Sequence, residues 1–196
     1  YLKEKTKKKE LALKLDDNEQ SLAIQNLPFK LTNKQLQAIN QINQLNKSNY
    51  RESILLQGDV GSGKTIIALL TAMPFITSGH QVAYMAPTEI LAQQIFDNLK
   101  TFLKSSNIRS VLLTGSVRNK SEIYNKAQKN EINFIIGTHA IFQEKLQFNN
   151  LSYVIIDEQH RFGVQQRLSL AEKGINTNIL LMSATPIPRT LALAQY

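Results

Sequence analysis

The 196-residue chain has no cysteine. That excludes a disulfide framework, cysteine-ligated zinc and thiol catalysis, and it fits a reducing compartment. Long apolar runs are missing too. The most apolar stretch, Ile66 to Ile76, is interrupted by Thr71 and Pro74 and is too short to span a bilayer. The N-terminus is polar and lysine-rich, with no signal-peptide core. A protein of the cytoplasm, without a membrane partner, is expected. There is no internal repeat and no low-complexity tract. Acidic residues are the scarcer charge: 15 Asp and Glu stand against 23 Lys and Arg, a net charge of +8. Six lysines against two glutamates place +4 of this in residues 1–14. A basic balance suits a polyanionic partner, although a lysine-rich terminus is also an ordinary solvated face. With 42% hydrophobic and 19% charged residues, the composition is that of a globular protein. Its length suits one large domain, or one domain with an extension.

What is present is concentrated at Gly58-Asp59-Val60-Gly61-Ser62-Gly63-Lys64-Thr65, which spells G-x-x-x-x-G-K-[ST]. The apolar run Ser53–Gln57 before it reads as a buried strand, and Thr65–Leu70 opens an apolar helix after it. Glycines let the backbone turn tightly and aim successive N–H groups inward, and the helix N-terminus adds partial positive charge. Gly58, Gly61, Ser62 and Gly63 would then cradle the phosphates of ATP. Lys64 would reach the β- and γ-phosphates, and the Thr65 hydroxyl would ligate Mg²⁺.

From residue 53 onward, strand-like and helix-like segments alternate. Short apolar runs at Ser53–Gln57, Gln81–Ala86, Ser110–Thr114, Asn133–Gly137, Tyr153–Asp157 and Asn178–Ser183 read as strands of a parallel sheet covered on both faces. Gly63–Thr77, Glu89–Leu103, Lys120–Lys129 and Gln165–Glu172 read as helices. This pattern predicts an α/β doubly wound, mainly parallel sheet with helices on both faces, whose ligands bind at the carboxyl ends of the strands. Residues 1–26 read as a partly helical linker with Leu11, Leu13, Leu15 and Leu22 as apolar contacts. Leu27-Pro28-Phe29 breaks it, and Thr32 reads as the N-cap of a helix over 33–46. The main domain is therefore set at 27–196.

Several strand ends carry chemistry. Tyr153 to Ile156 lead into Asp157-Glu158-Gln159-His160. Two adjacent carboxylates repel unless a cation lies there. Asp157 is expected to hold Mg²⁺ and Glu158 to activate the attacking water. His160, with Gln159, reads either as a relay of nucleotide state or as a satisfied polar residue. Ser183-Ala184-Thr185 ends the last strand and offers hydroxyls to that turn. Pro87-Thr88-Glu89, Thr114-Gly115-Ser116 and Gly137-Thr138 end three more strands. Amides and hydroxyls at such ends suit the phosphates of a nucleic-acid strand, with Arg118 and Lys120 adding charge. Phe29, Thr32 and Gln35 admit two readings: stacking and amide bonding to adenine, or a capped helix beside a buried Phe. His80 and His139 are lone histidines, and neither is assigned a metal.

In this order the motifs resemble those of the superfamily 2 helicases over about residues 27–196. Phe29/Thr32/Gln35 resembles the adenine-reading Q motif, and Gly58–Thr65 resembles motif I. Ala86–Glu89, Asp157–His160 and Ser183–Thr185 resemble motifs Ia, II and III. The stretches Leu56–Thr65, Asp157–Arg167 and Met182–Leu193 are similar to the RecG family of branch-migrating DNA helicases. Transcription-repair coupling translocases share much of this but usually have Glu where Gln159 stands. RNA helicases with D-E-A-D differ at Gln159-His160, although related RNA enzymes have D-E-x-H. A non-catalytic scaffold lobe sits poorly with intact Lys64, Thr65, Asp157 and Glu158. The resemblance implies a RecA-like motor lobe, the catalytic residues Lys64, Asp157, Glu158 and His160, and coupling through Gln159, Ser183, Ala184 and Thr185. It implies action on forked DNA and Holliday junctions in repair and recombination. It also implies missing parts, namely an N-terminal wedge domain and a second RecA-like lobe whose arginines face the γ-phosphate.

Overall fold

The computed structural model describes residues 9, 13–102, 108–157, 173–174 and 176–184. The expected helix over 165–172 lies outside them, as do Glu158, Gln159, His160 and Thr185.

Six parallel strands form one sheet: β1 (Ser53–Gln57), β2 (Gln81–Met85), β3 (Ser110–Leu113), β4 (Phe134–Gly137), β5 (Leu151–Ile156) and β6 (Asn178–Ser183). They lie in the order β1-β6-β5-β2-β4-β3. Helices α1 (Asn18–Gln25), α2 (Asn33–Asn46), α3 (Lys64–Thr77), α4 (Glu89–Phe102) and α5 (Lys120–Gln128), with a 3₁₀ turn over His139–Phe142, complete the described elements. Side chains alternate across a strand, and the core divides accordingly. Val82, Tyr84, Phe134, Ile136, Tyr153, Ile155, Leu180 and Met182 face α1 to α4. Ala83, Met85, Ile135, Val154, Ile156 and Leu181 face α5 and the 3₁₀ turn. This is the expected doubly wound sheet with both faces covered. α3 is buried almost throughout, and its Phe75 ring stacks on Tyr153 with centroids 4.4 Å apart.

The amino-terminal segment is helical in part, over α1. Residues 13–17 are not helical, and α1 begins at Asn18. Leu22, expected to be an inward contact, is 50% exposed. The inward face is carried by Gln20 and Ala23, with Gln20 Nε2 donating to Leu70 O of α3 at 2.7 Å. Successive helical residues are offset by about 100°, so a one-place shift of the buried stripe turns Leu22 outward. Leu13 and Ala23 join the same core as α3.

Opposite the motif-bearing ends, Gln81 closes the base of the sheet. Its Nε2 donates to Ala127 O and Ile132 O, both at 2.8 Å. Its Oε1 accepts from the N–H groups of Asn149 and Asn150, both at 2.9 Å. Every polar site of one buried amide is thereby used to pin three chain segments. His80 lies at this same base, its Nδ1 3.0 Å from Ser152 Oγ.

Candidate functional site

The glycine-rich loop leaves β1 and delivers its chain into α3. Gly61 and Gly63 adopt φ +80° and +87°, the left-handed region where a side chain is strained. Gly63 is the N-cap of α3. Lys64 Nζ donates back to Gly58 O at 2.7 Å and Asp59 O at 2.8 Å, so its ammonium is held inside the curl of the loop. The Gly58 N–H donates to Ser183 O at 3.2 Å and fastens the start of the loop to the end of β6.

The expected N-cap is present. Gln35 Oε1 accepts from Thr32 N–H at 2.8 Å, and Thr32 Oγ1 accepts from Gln35 N–H at 3.3 Å, making a reciprocal capping box. Gln35 Nε2 also donates to Ser62 O at 2.9 Å. One side chain thus ties the start of α2 to the glycine loop. Phe29 is 43% exposed, so the reading of a capped helix beside a buried Phe holds for the cap and not for the Phe.

Strand register brings the acidic turn to the same edge. Gln57 of β1 pairs Ser183 of β6, and Leu181 of β6 pairs Ile156 of β5, the residue before Asp157. With strands about 4.8 Å apart, the loop and Asp157 leave the sheet roughly 10 Å apart, with the end of β6 between them. Asp157 N–H donates to Met85 O at 2.9 Å.

Between these elements lies a residue that motif reading missed. Tyr84 of β2 is fully buried. Its hydroxyl closes no hydrogen bond of good geometry, yet the Thr65 hydroxyl and the Asp157 carboxylate both lie close enough to act on its proton. Burial, reinforced by the Asp157 charge, pushes the Tyr84 phenol well above the ordinary tyrosine range. In the sequence, Tyr84 is one more apolar letter in a buried strand; only the neighbours that the fold gives it reveal its place. Among the described residues no group of three or more His, Asp or Glu is arranged to hold a metal. The donor set that does converge, the Thr65 hydroxyl and one carboxylate flanking a buried phenol, fits a hard cation whose remaining ligands are water and phosphate oxygens.

The other half of the carboxyl edge holds the expected nucleic-acid residues. Ala86 N–H donates to Gly137 O at 2.8 Å and Thr138 N–H to Leu113 O at 3.3 Å, which aligns the ends of β2, β4 and β3. A Cβ on Gly137 would lie 2.0 Å from Leu113 O, so this close approach requires glycine. Pro87, Thr88, Glu89, Gly115, Lys120 and Thr138 are among the residues that line a cavity of ≈ 390 Å³. Thr114 and Thr138 are mostly buried, whereas Glu89, Gly115 and Ser116 are exposed. The Thr88 hydroxyl accepts from Leu91 N–H at 3.2 Å and caps α4. Glu89 is turned onto the Gly115–Ser116 turn: Oε1 accepts from Ser116 N–H at 3.3 Å and Oε2 from the Ser116 hydroxyl at 2.9 Å. The Ser116 hydroxyl above all, helped by the amides of Gly115 and Ser116 and by Lys120, holds the Glu89 carboxyl below its ordinary range.

A family model described as DEAD/DEAH box helicase matches residues 32–194. The chain belongs to this helicase family. The helicase chain is 50% identical over 201 residues to ATP-dependent DNA helicase RecG of Aquifex aeolicus (strain VF5), an alignment covering 100% of this chain and 25% of that protein. It is 47% identical over 175 residues to the RecG of Bacillus subtilis (strain 168), covering 88% of this chain and 26% of that one. Among solved structures it resembles RecG bound to a three-way DNA junction, with TM-score 0.81 and 43% identity over 93% of this chain and 25% of that chain. A DEAD box protein from Methanococcus jannaschii shares the fold, with TM-score 0.68 and 23% identity over 97% of this chain and 53% of that one. The helicase chain spans about a quarter of the length of the curated relatives it matches. No helix among its described residues is long and apolar enough to cross a membrane.

Proposed function

We propose that this chain is the first RecA-like motor lobe of a cytoplasmic, ATP-dependent DNA helicase that remodels forked and branched DNA in repair and recombination. The observation that carries the reading is the convergence of the glycine loop, Thr65 and Asp157 on one stretch of sheet edge around the Tyr84 hydroxyl. Similarity to RecG over the whole chain directs it to DNA.

In this reading the loop amides and the start of α3 bind the phosphates of ATP, and Lys64 leaves Gly58 O and Asp59 O for the outer phosphate oxygens. Thr65 and Asp157 would hold Mg²⁺, whose charge would offset that of the phosphates. Phe29 and Gln35 lie against the base, and Gln35 carries its fit to the loop through Ser62 O. Glu158 orients the attacking water, while His160 and Gln159, with Ser183, Ala184 and Thr185, report phosphate state. The strand ends at Pro87–Glu89, Thr114–Ser116 and Gly137–Thr138 track a DNA backbone without reading bases. The division at residue 26, the wedge domain and the second lobe belong to the same proposal.

The test is ATP turnover by the full-length protein with forked DNA. Lys64→Ala is expected to lower turnover at least about 10²-fold while DNA binding in the absence of nucleotide persists. Turnover that survives the substitution would refute the nucleotide assignment. Stimulation by RNA rather than forked DNA would redirect the substrate.

A further inference from the structure

Glu89 is placed where a DNA contact is least expected to carry a negative charge. A carboxylate in the first turn of α4 complements the helix dipole, and that would account for an acid at this position. It does not account for where the side chain goes. The carboxylate crosses to a turn 27 residues away and takes the Ser116 N–H and hydroxyl, at 3.3 and 2.9 Å. The turn is fitted to it: a Cβ on Gly115 would lie 2.8 Å from Glu89 Oε1. The Ser116 hydroxyl is also 2.9 Å from Thr114 Oγ1, and Lys120 Nζ donates to Gly115 O at 2.9 Å, bracing the turn from behind. Amides and a hydroxyl directed at one oxyanion, with a lysine charge nearby, make the donor set of a phosphate site. Here the oxyanion is supplied by the protein.

We propose that Glu89 is an internal competitor for the strand phosphate at the Gly115–Ser116 turn, so that it sets DNA affinity by occupying the cradle rather than by touching DNA. The inference rests on the DNA reading of this sheet edge. One N–H donates to one anion at full strength, and a phosphate brought beside the carboxylate is repelled. Engagement therefore requires an exchange: the carboxylate swings into solvent and a backbone phosphate takes Ser116 N–H and Oγ. Because Glu89 is exposed, the swing needs no rearrangement of the core.

The experiment measures affinity for fluorescent forked DNA by anisotropy, on the full-length protein at fixed salt. Glu89→Gln and Glu89→Ala are both expected to bind about three- to tenfold more tightly. Glu19→Gln, which removes the same charge from exposed α1, is expected to change little. Lys120→Ala and Ser116→Ala are expected to bind more weakly. If these last two leave affinity untouched while DNA still binds, the turn is not a DNA site, and the inference falls with that reading. If they weaken binding but the Glu89 variants bind equally or less tightly, Glu89 supports the turn instead and competition is wrong. Tightening by Glu19→Gln equal to that of Glu89→Gln would reduce the effect to bulk charge and overturn the proposal.

Discussion

At the scale of single residues, Tyr84 shows what a buried polar group costs when its neighbours do not complete a bond. A hydroxyl withdrawn from water without a firm partner costs about 1–3 kcal/mol, and the nearby Asp157 charge opposes loss of its proton. Tyr84→Phe removes the hydroxyl and keeps the ring. It is expected to stabilise the protein by about 1 kcal/mol, a rise in Tm of ~2–4 °C by differential scanning calorimetry. A fall in Tm would mean that the phenol already holds a strong bond. The placement of Lys64, Thr65 and Asp157 at one sheet edge was legible in the sequence because their motifs fix both residue type and backbone shape. Tyr84 was not, because its role depends on β5 lying beside β2, a relation between segments about seventy residues apart that no local pattern encodes. The same holds for the bond from Gln35 to Ser62 and for the turn of Glu89 onto Ser116: the residues were picked out, but not what they grip.

At the scale of elements, most strands were foreshadowed by a short continuous apolar run; β2, β4 and β5, buried along their whole length, have no polar side to show. Boundaries shifted where polar residues are buried. β5 starts at Leu151 and takes in Ser152, whose hydroxyl is paired with His80. The 3₁₀ turn over 139–142 was missed because four residues carry no period to detect. The inward face of α1 was misassigned at Leu22 because the apolar letters near the N-terminus did not tell which side would face α3. Elements here are also held by polar clamps, and Gln81 is the clearest. Gln81→Leu keeps most of the volume but strands two carbonyls and two N–H groups of neighbouring segments. A loss of about 3 kcal/mol is expected, read as a Tm lower by ~6–12 °C, with the nucleotide loop unaffected in nucleotide titrations. A change below about 0.5 kcal/mol would show that solvent satisfies those groups.

At the scale of the whole molecule, the carboxyl edge is divided. β1, β6 and β5 end in the residues assigned to nucleotide, and β4 and β3 end in those assigned to DNA, with β2 between the two sets. One face of the proposed ATP cleft is built from this chain, and the resemblance assigns the facing arginines to another lobe. Arginine contributions of that kind are worth about 10³–10⁵ in rate. Residues 1–196 alone are therefore expected to bind nucleotide weakly and hydrolyse it barely. A protein carrying both lobes should show DNA-stimulated turnover higher by orders of magnitude in a coupled ATPase assay. Vigorous DNA-dependent hydrolysis by these 196 residues alone would defeat that expectation.

The position of β2 makes it a shared axle. Tyr84 meets Thr65 and Asp157 at one end of a short piece of backbone, and Glu89 grips Ser116 at the other, five residues on. Fully stretched, that piece spans no more than about 18 Å. The proposed fuel and track sites are thus joined by the end of β2 and the three-residue connection 86–88 into α4, which leaves little slack between them.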